Sequence, residues 1–154
     1  MMPSDFPRQG RLAGIDYGTV RVGVAVCDSD RILASPLETH QRSDAATDAK
    51  YFQQLVREER IVGFVVGLPV HGSGQESQKS IEARAFGNWL SEQTGVPVHF
   101  HDERYTSVFA ERSMLDAGMT RERRKQRLDK VAAQGILSSY LESSRSQGPG
   151  DLAD

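Results

Sequence analysis

The run IVGFVVGLPV, from Ile61 to Val70, is the most apolar stretch of the chain and the feature that most narrows its fold. It shows no polar alternation, so it reads as a strand buried on both faces. A sheet built around such a strand needs cover above and below, which places helices on both of its faces.

The rest of the pattern supplies that sheet and those helices. Leu12 to Asp16 and Arg21 to Asp28 are short apolar strands, joined by a hairpin turn over Tyr17, Gly18, Thr19 and Val20. Arg31 to Thr39 can pair as a third strand, with Pro36 suited to an edge or a bulge. Thr47 to Arg60 is helical, with Tyr51 and Leu55 on the helical step. Glu76 to Thr94 is a second helix whose Ile81, Ala85 and Trp89 recur every fourth residue, flanked by Phe86 and Leu90. Gly95 and Pro97 end it before a strand from Val96 to His101. Two helices follow, Ser107 to Ala117 and Arg121 to Glu142, with Gly118 closing the first and Thr120 capping the second. The expected fold class is α/β: three meandering strands, then βαβ units, in one mixed sheet with helices on its faces.

One domain over 11–142 accounts for this order, with 1–10 and 143–154 expected to be disordered extensions. No apolar run approaches the ~20 residues of a membrane helix. Residues 1–10 lack the apolar core of a signal peptide, and the single cysteine, Cys27, suits a reducing compartment. A cytoplasmic location is therefore expected. The net charge of −2 conceals an asymmetry, because RERRKQRLDK at 121–130 holds six basic and two acidic residues. A basic patch on a mildly acidic body can still grip phosphates.

Carboxylates stand where chemistry is usually placed in such sheets. Asp16 ends the first strand, and open α/β sheets build sites at the carboxyl ends of strands; an Asp before Gly18 also serves simply to open a turn. Asp102 and Glu103 close the last strand as neighbours, so they point to opposite faces if the strand continues. Val96, Val98 and Phe100 mark the better core face, which would aim Asp102 inward and Glu103 away. Glu103 is nevertheless the preferred ligand, since the chain leaves the strand here and the longer side chain can reach back. Asp102 is then a supporting partner. Asp129 shares a helix face with Ala132, Ala133 and Ile136, so it looks inward and needs a partner. A salt bridge to Lys125 or Arg104 would satisfy it, and so would a metal held with Asp16 and Glu103. Three carboxylates converging at one sheet edge suit Mg²⁺ or Mn²⁺. His99 and His101 share a strand face without a second ligand pair, and read as surface or partly buried histidines.

The first turns of the last helix carry Arg121, Arg123, Arg124, Lys125 and Arg127, with Lys130 one turn on. Cations at that end of a helix cost about 0.3–1 kcal/mol each at low ionic strength. Placed just before Asp129, and with Arg104 near the other carboxylates, they read as contacts to nucleic-acid phosphates.

Four segments together resemble the YqgF-type family, provisionally assigned to Holliday-junction resolution or to cutting the small-subunit ribosomal RNA precursor. They are GIDYGTVRVGVAVCD (14–28), VVGLPVHGSGQE (65–76), HDERYTSVFAERSML (101–115) and DKVAAQGILSSYL (129–141). The resemblance implies an RNase H-like fold, which the strand and helix order also matches. It also implies a metal-dependent nuclease with acidic positions at Asp16, the Asp102–Glu103 pair and Asp129. Resolvases of the RuvC type carry a further acid on the strand that here ends Gly67-Leu68-Pro69. Its absence leaves Glu103 to complete the site. Nucleic acid is the implied partner; a two-fold junction would call for a homodimer, whereas trimming an RNA end would not. Two rivals remain. One is a non-catalytic RNA-binding factor of the same fold. The other is an actin-like ATPase fragment, suggested by the Asp16-Tyr17-Gly18 turn, although no second such turn precedes an apolar strand.

Overall fold

A computed structural model describes residues 6–69, 77–102 and 120–146. Five strands, β1 (Arg11–Asp16), β2 (Arg21–Cys27), β3 (Ala34–Gln41), β4 (Ile61–Leu68) and β5 (Val98–Asp102), form one sheet in the order β3-β2-β1-β4-β5. The first three meander antiparallel, and β4 and β5 run parallel to β1. Helices α1 (Ala45–Glu59) and α2 (Gln78–Thr94) provide the crossovers, and α3 (Arg121–Ser146) comes last. This is the mixed sheet of the RNase H-like arrangement expected above. The helix expected over 107–117 lies outside the described residues.

Strand alternation divides the core in two. Ala13, Ile15, Val22, Val24, Phe64 and Val66 pack with Phe52 and Leu55 of α1 and Phe86 and Leu90 of α2. On the other face Leu12, Ala25, Cys27 and Val65 pack against Ala133, Ile136, Leu137 and Leu141 of α3. The β4 run is thus covered on both sides, as its composition requires. Phe6, within the expected N-terminal extension, packs near Gly63, His99 and Tyr140 on the α3 side.

Two glycines set how closely α3 approaches. A Cβ on Gly14 would stand 2.7 Å from the Ala133 carbonyl oxygen, and one on Gly23 would collide with the Asp129 carbonyl. Only hydrogen fits between sheet and helix at those points.

Several boundaries and one face differ from the expectation. The third strand begins at Ala34 and carries Pro36 at a bulge opposite Val24 and Ala25, on the sheet edge. α3 continues four residues beyond Glu142. The inward stripe of α2 is Ala83, Phe86 and Leu90 with Ser80 and Gly87, whereas Ile81 is 49% exposed and Ala85 lies outside. The cause is Gly87, which lets the Phe100 ring of β5 press against the helix backbone. A stripe anchored by Gly and Ser carries little apolar signal, so hydrophobic periodicity selects the neighbouring one.

Asp48, in the first turn of α1, is a charged residue among the buried groups, with 1% exposure. Burial opposes its ionisation. His40 Nε2, 2.9 Å from Oδ1, the Ser43 N–H and the nearby charges of His40 and Arg42 outweigh that and hold its carboxyl below the usual range. A depressed folded pKa gives stability that is present above the unfolded value of about 3.9 and lost as pH falls through the folded value. Asp48→Asn is therefore expected to cost roughly 1–3 kcal/mol at pH 7. The gap to the wild type should narrow on the acid limb, as read from urea midpoints across pH; a gap independent of pH would refute the ionic account.

Candidate active site

The site is built where β1 ends. Asp16 is the last residue of β1 and pairs with Gly23 across the antiparallel ladder. By alternation it belongs to the α3 face, with Leu12 and Gly14. Gly23 in turn lies directly beneath the backbone of Asp129. Partners across such a ladder have Cα atoms about 4.5–5.5 Å apart. The sheet register and the missing Cβ of Gly23 together bring Asp16 and Asp129 to one place.

Asp129 does look inward, but its partner is neither Lys125 nor Arg104. Arg21 Nε donates to its Oδ2 over 2.7 Å, with the two side chains 28% and 18% exposed. Arg21 opens β2 and shares the α3 face with Gly23, Ala25 and Cys27, so alternation alone could have identified it. Arg42 braces the turn after Asp16 from the other side. Its guanidinium reaches the Tyr17 hydroxyl and the Gly18 carbonyl, each at 3.4 Å, and approaches Asp48 at 3.5 Å.

A cleft of about 570 Å³ opens here, and Asp16, Glu82 and Asp129 line it with Arg21, Lys79 and Lys125. Lys125 is among the residues expected at the site. Lys79 and Glu82, from the first turns of α2, are not: nothing in their local sequence marks them, and the fold alone brings them over. Among the described residues no group of three His, Cys, Asp or Glu side chains stands close enough to hold a metal ion together. Asp16 and Asp129 are nevertheless hard oxygen donors in one cleft. Mg²⁺ is commonly held by one or two carboxylates with water and substrate phosphate completing its shell, so these residues fit such an ion.

The other expected site residues are distributed as follows. Asp102 ends β5, paired with Leu68, at the same carboxyl end of the parallel strands as Asp16. Its face, however, is that of Val98 and Phe100, which pack under α1 and α2. Pleating assigns Asp102 to that face, as expected, whereas α3 covers the opposite face, and Asp16 and Asp129 are there. Glu103 and Arg104 lie outside the described residues. Arg121, Arg123, Arg124 and Arg127 are exposed on the first two turns of α3, where the Thr120 hydroxyl accepts from the Arg123 N–H at 3.2 Å. Lys130 is half-buried. His99 and His101 line the α3 face of β5 beside Tyr140, and His101 Nε2 is 2.9 Å from Ser139 Oγ. Burial, foremost, pushes both imidazoles below their ordinary pKa.

Comparison with known proteins gives consistent results. The profile of the RuvX family, described as Holliday junction resolvase, matches residues 10–143. A protein of Rhodopirellula baltica, provisionally named a pre-16S rRNA nuclease, is 54% identical over 143 residues, spanning 93% of this chain and 83% of its own. One of Rhodobacter capsulatus with the same provisional name is 44% identical over 136 residues, spanning 88% and 86%. Among solved structures, Thermus thermophilus RuvC in complex with a Holliday junction substrate superposes with a TM-score of 0.56 at 16% identity, over 90% of this chain and 98% of that one. The fowlpox virus resolvase bound to Holliday junction DNA gives 0.51 at 10% identity, over 86% and 97%. At these identities the structural likeness concerns the fold alone.

Proposed function

The chain belongs to the RuvX family, and from that membership and the carboxylate cleft we propose that it is a metal-dependent nuclease hydrolysing phosphodiester bonds in structured nucleic acid. The observation that carries this reading is the convergence of Asp16 and Asp129 on the α3 face of the sheet. Asp16, Asp129 and Glu103 are the residues proposed to hold Mg²⁺ or Mn²⁺. Glu103 is preferred to Asp102 because Asp102 belongs to the opposite face of β5. When bound, such an ion supplies Lewis acidity to the phosphodiester and lowers the pKa of a water. Arg21 holds the Asp129 carboxylate in place, and Lys79 and Lys125 offer ammonium groups to the phosphates beside the scissile bond.

The provisional names of the relatives point to precursor 16S ribosomal RNA as the first substrate to try, and the family description to four-way DNA junctions as the second. Both should be incubated with the protein in Mg²⁺ and in Mn²⁺. Cleavage of the RNA precursor is expected; no cleavage of either substrate with either ion would refute the proposal.

The exposed basic turns of α3 are proposed to bind the backbone regardless of sequence. Replacing Arg123, Arg124 and Arg127 together with Gln should weaken binding across all sequences. It should also flatten the log–log salt slope, measured by anisotropy, by about 0.7–0.9 for each phosphate that is no longer neutralised. The triple variant should fold as well as the wild type, since cations at a helix N-terminus oppose its dipole. An unchanged slope would mark these arginines as solvated surface.

A further inference from the structure

Next to the cleft lies a second, open hollow of about 310 Å³, lined by Tyr17, Arg42, Glu82, Ala85, Phe86 and Trp89. Tyr17 and Glu82 form part of both walls, so the two sites are contiguous. Three aromatic rings form its body, with Tyr17 5.1 Å from Phe86 and Phe86 5.5 Å from Trp89 between centroids. The Arg42 guanidinium sits 5.5 and 5.3 Å from the centres of the Tyr17 and Phe86 rings. Its donors and the Glu82 carboxylate give the hollow a polar rim.

We propose that this hollow receives one unpaired nucleobase, adjacent to the phosphate that enters the carboxylate cleft. The inference rests on the nuclease reading and names its substrate more closely: nucleic acid with an unpaired nucleotide at the cut. Unstacked bases are recognised by aromatic faces and guanidinium planes, with polar groups meeting their edges, and the hollow offers these three elements. Its size is at the small end for a ligand site, which suits a single base. The shared wall of Tyr17 and Glu82 sets the hollow directly beside the cleft, as a base stands beside its own phosphate. A base inside a continuous duplex cannot reach the hollow without leaving its stack.

Trp89 is the single tryptophan of the chain, so its fluorescence reports directly on the hollow. A short single-stranded oligoadenylate should quench it, whereas a blunt RNA duplex should not. Trp89→Ala, followed by anisotropy, should weaken single-strand binding about tenfold, within the range for loss of one base–aromatic stack. Because Trp89 also packs against Phe52, Ala85→Gln provides a second variant, filling the hollow from an exposed helix position. It should weaken single-strand binding similarly, leaving duplex binding within about twofold and the melting curve unchanged. Equal quenching by strand and duplex, or full single-strand affinity in a folded Ala85→Gln variant, would overturn the proposal. Asp16→Asn separates the two readings, since it should keep the quenching while losing cleavage. Cleavage by wild type without quenching would remove the hollow alone, whereas quenching without cleavage of any substrate would remove the nuclease reading.

Discussion

Asp16→Asn is expected to reduce metal-dependent cleavage on the order of 10³-fold, the equivalent of several kcal/mol of transition-state stabilisation. The substitution keeps the size and shape of the side chain and removes its charge. Asp16 sits at a strand terminus bordering an open cleft, outside both apolar clusters of the core, so the packing of the sheet does not rest on it. The melting temperature should therefore move by only a degree or two, about what a surface substitution costs. Single-turnover cleavage of the preferred substrate, with thermal melting run in parallel, measures both quantities. Turnover within tenfold of the wild type in saturating Mg²⁺ would remove Asp16 from the chemistry, and with it the role proposed for the cleft.

The largest effect on stability is expected from the smallest addition. Gly23→Ala places a methyl group where the Asp129 carbonyl already stands, and backbone cannot rotate away as a side-chain tip can. α3 must lift from β2, disturbing the layer formed by Ala25, Ala133, Ile136 and Leu137. Overpacking of this kind costs about 3 kcal/mol, which in a chain of this size lowers the melting temperature by about 6–12 °C. The same displacement carries Asp129 away from Asp16, so cleavage should fall further than the loss of folded protein explains. Gly23→Ala melting within about 2 °C of the wild type would show that α3 is free to slide, contrary to its close seating on Gly14 and Gly23.

The chain order of the elements and the hairpin of β1 with β2 could be read from the sequence because they rest on apolar alternation and a short turn, whereas the parallel pairing of β1 with β4 comes only with the fold. The carboxylates Asp16 and Asp129 are legible for the same reason: one ends a strand, and the other interrupts an inward helical face. Legibility fails where small or polar residues perform the packing. Gly87 and Ser80 turn α2 by one stripe, and no hydrophobicity pattern records them. On β5, His99 and His101 give the face beside Tyr140 a polar look, so alternation assigns Asp102 to the Val98 and Phe100 face without showing that the site lies on the other one. Lys79 and Glu82 reach the cleft only through the tertiary fold. Arg21 lies between these cases, since its face is determined by the alternation of β2, but its partner lies 108 residues away.

That separation governs when during synthesis the site can exist. β1 and β2 emerge near the start of the chain and can pair at once through a four-residue turn. Asp129 arrives only after all five strands and both crossover helices. A nascent chain that has reached β5 already holds Asp16 and the whole sheet, but the face that α3 will cover is bare and Arg21 has no carboxylate to hold. Docking of the last helix therefore closes the core and completes the cleft in a single event. Until then the cleft proposed to cut nucleic acid is incomplete beside the ribosome that makes the chain.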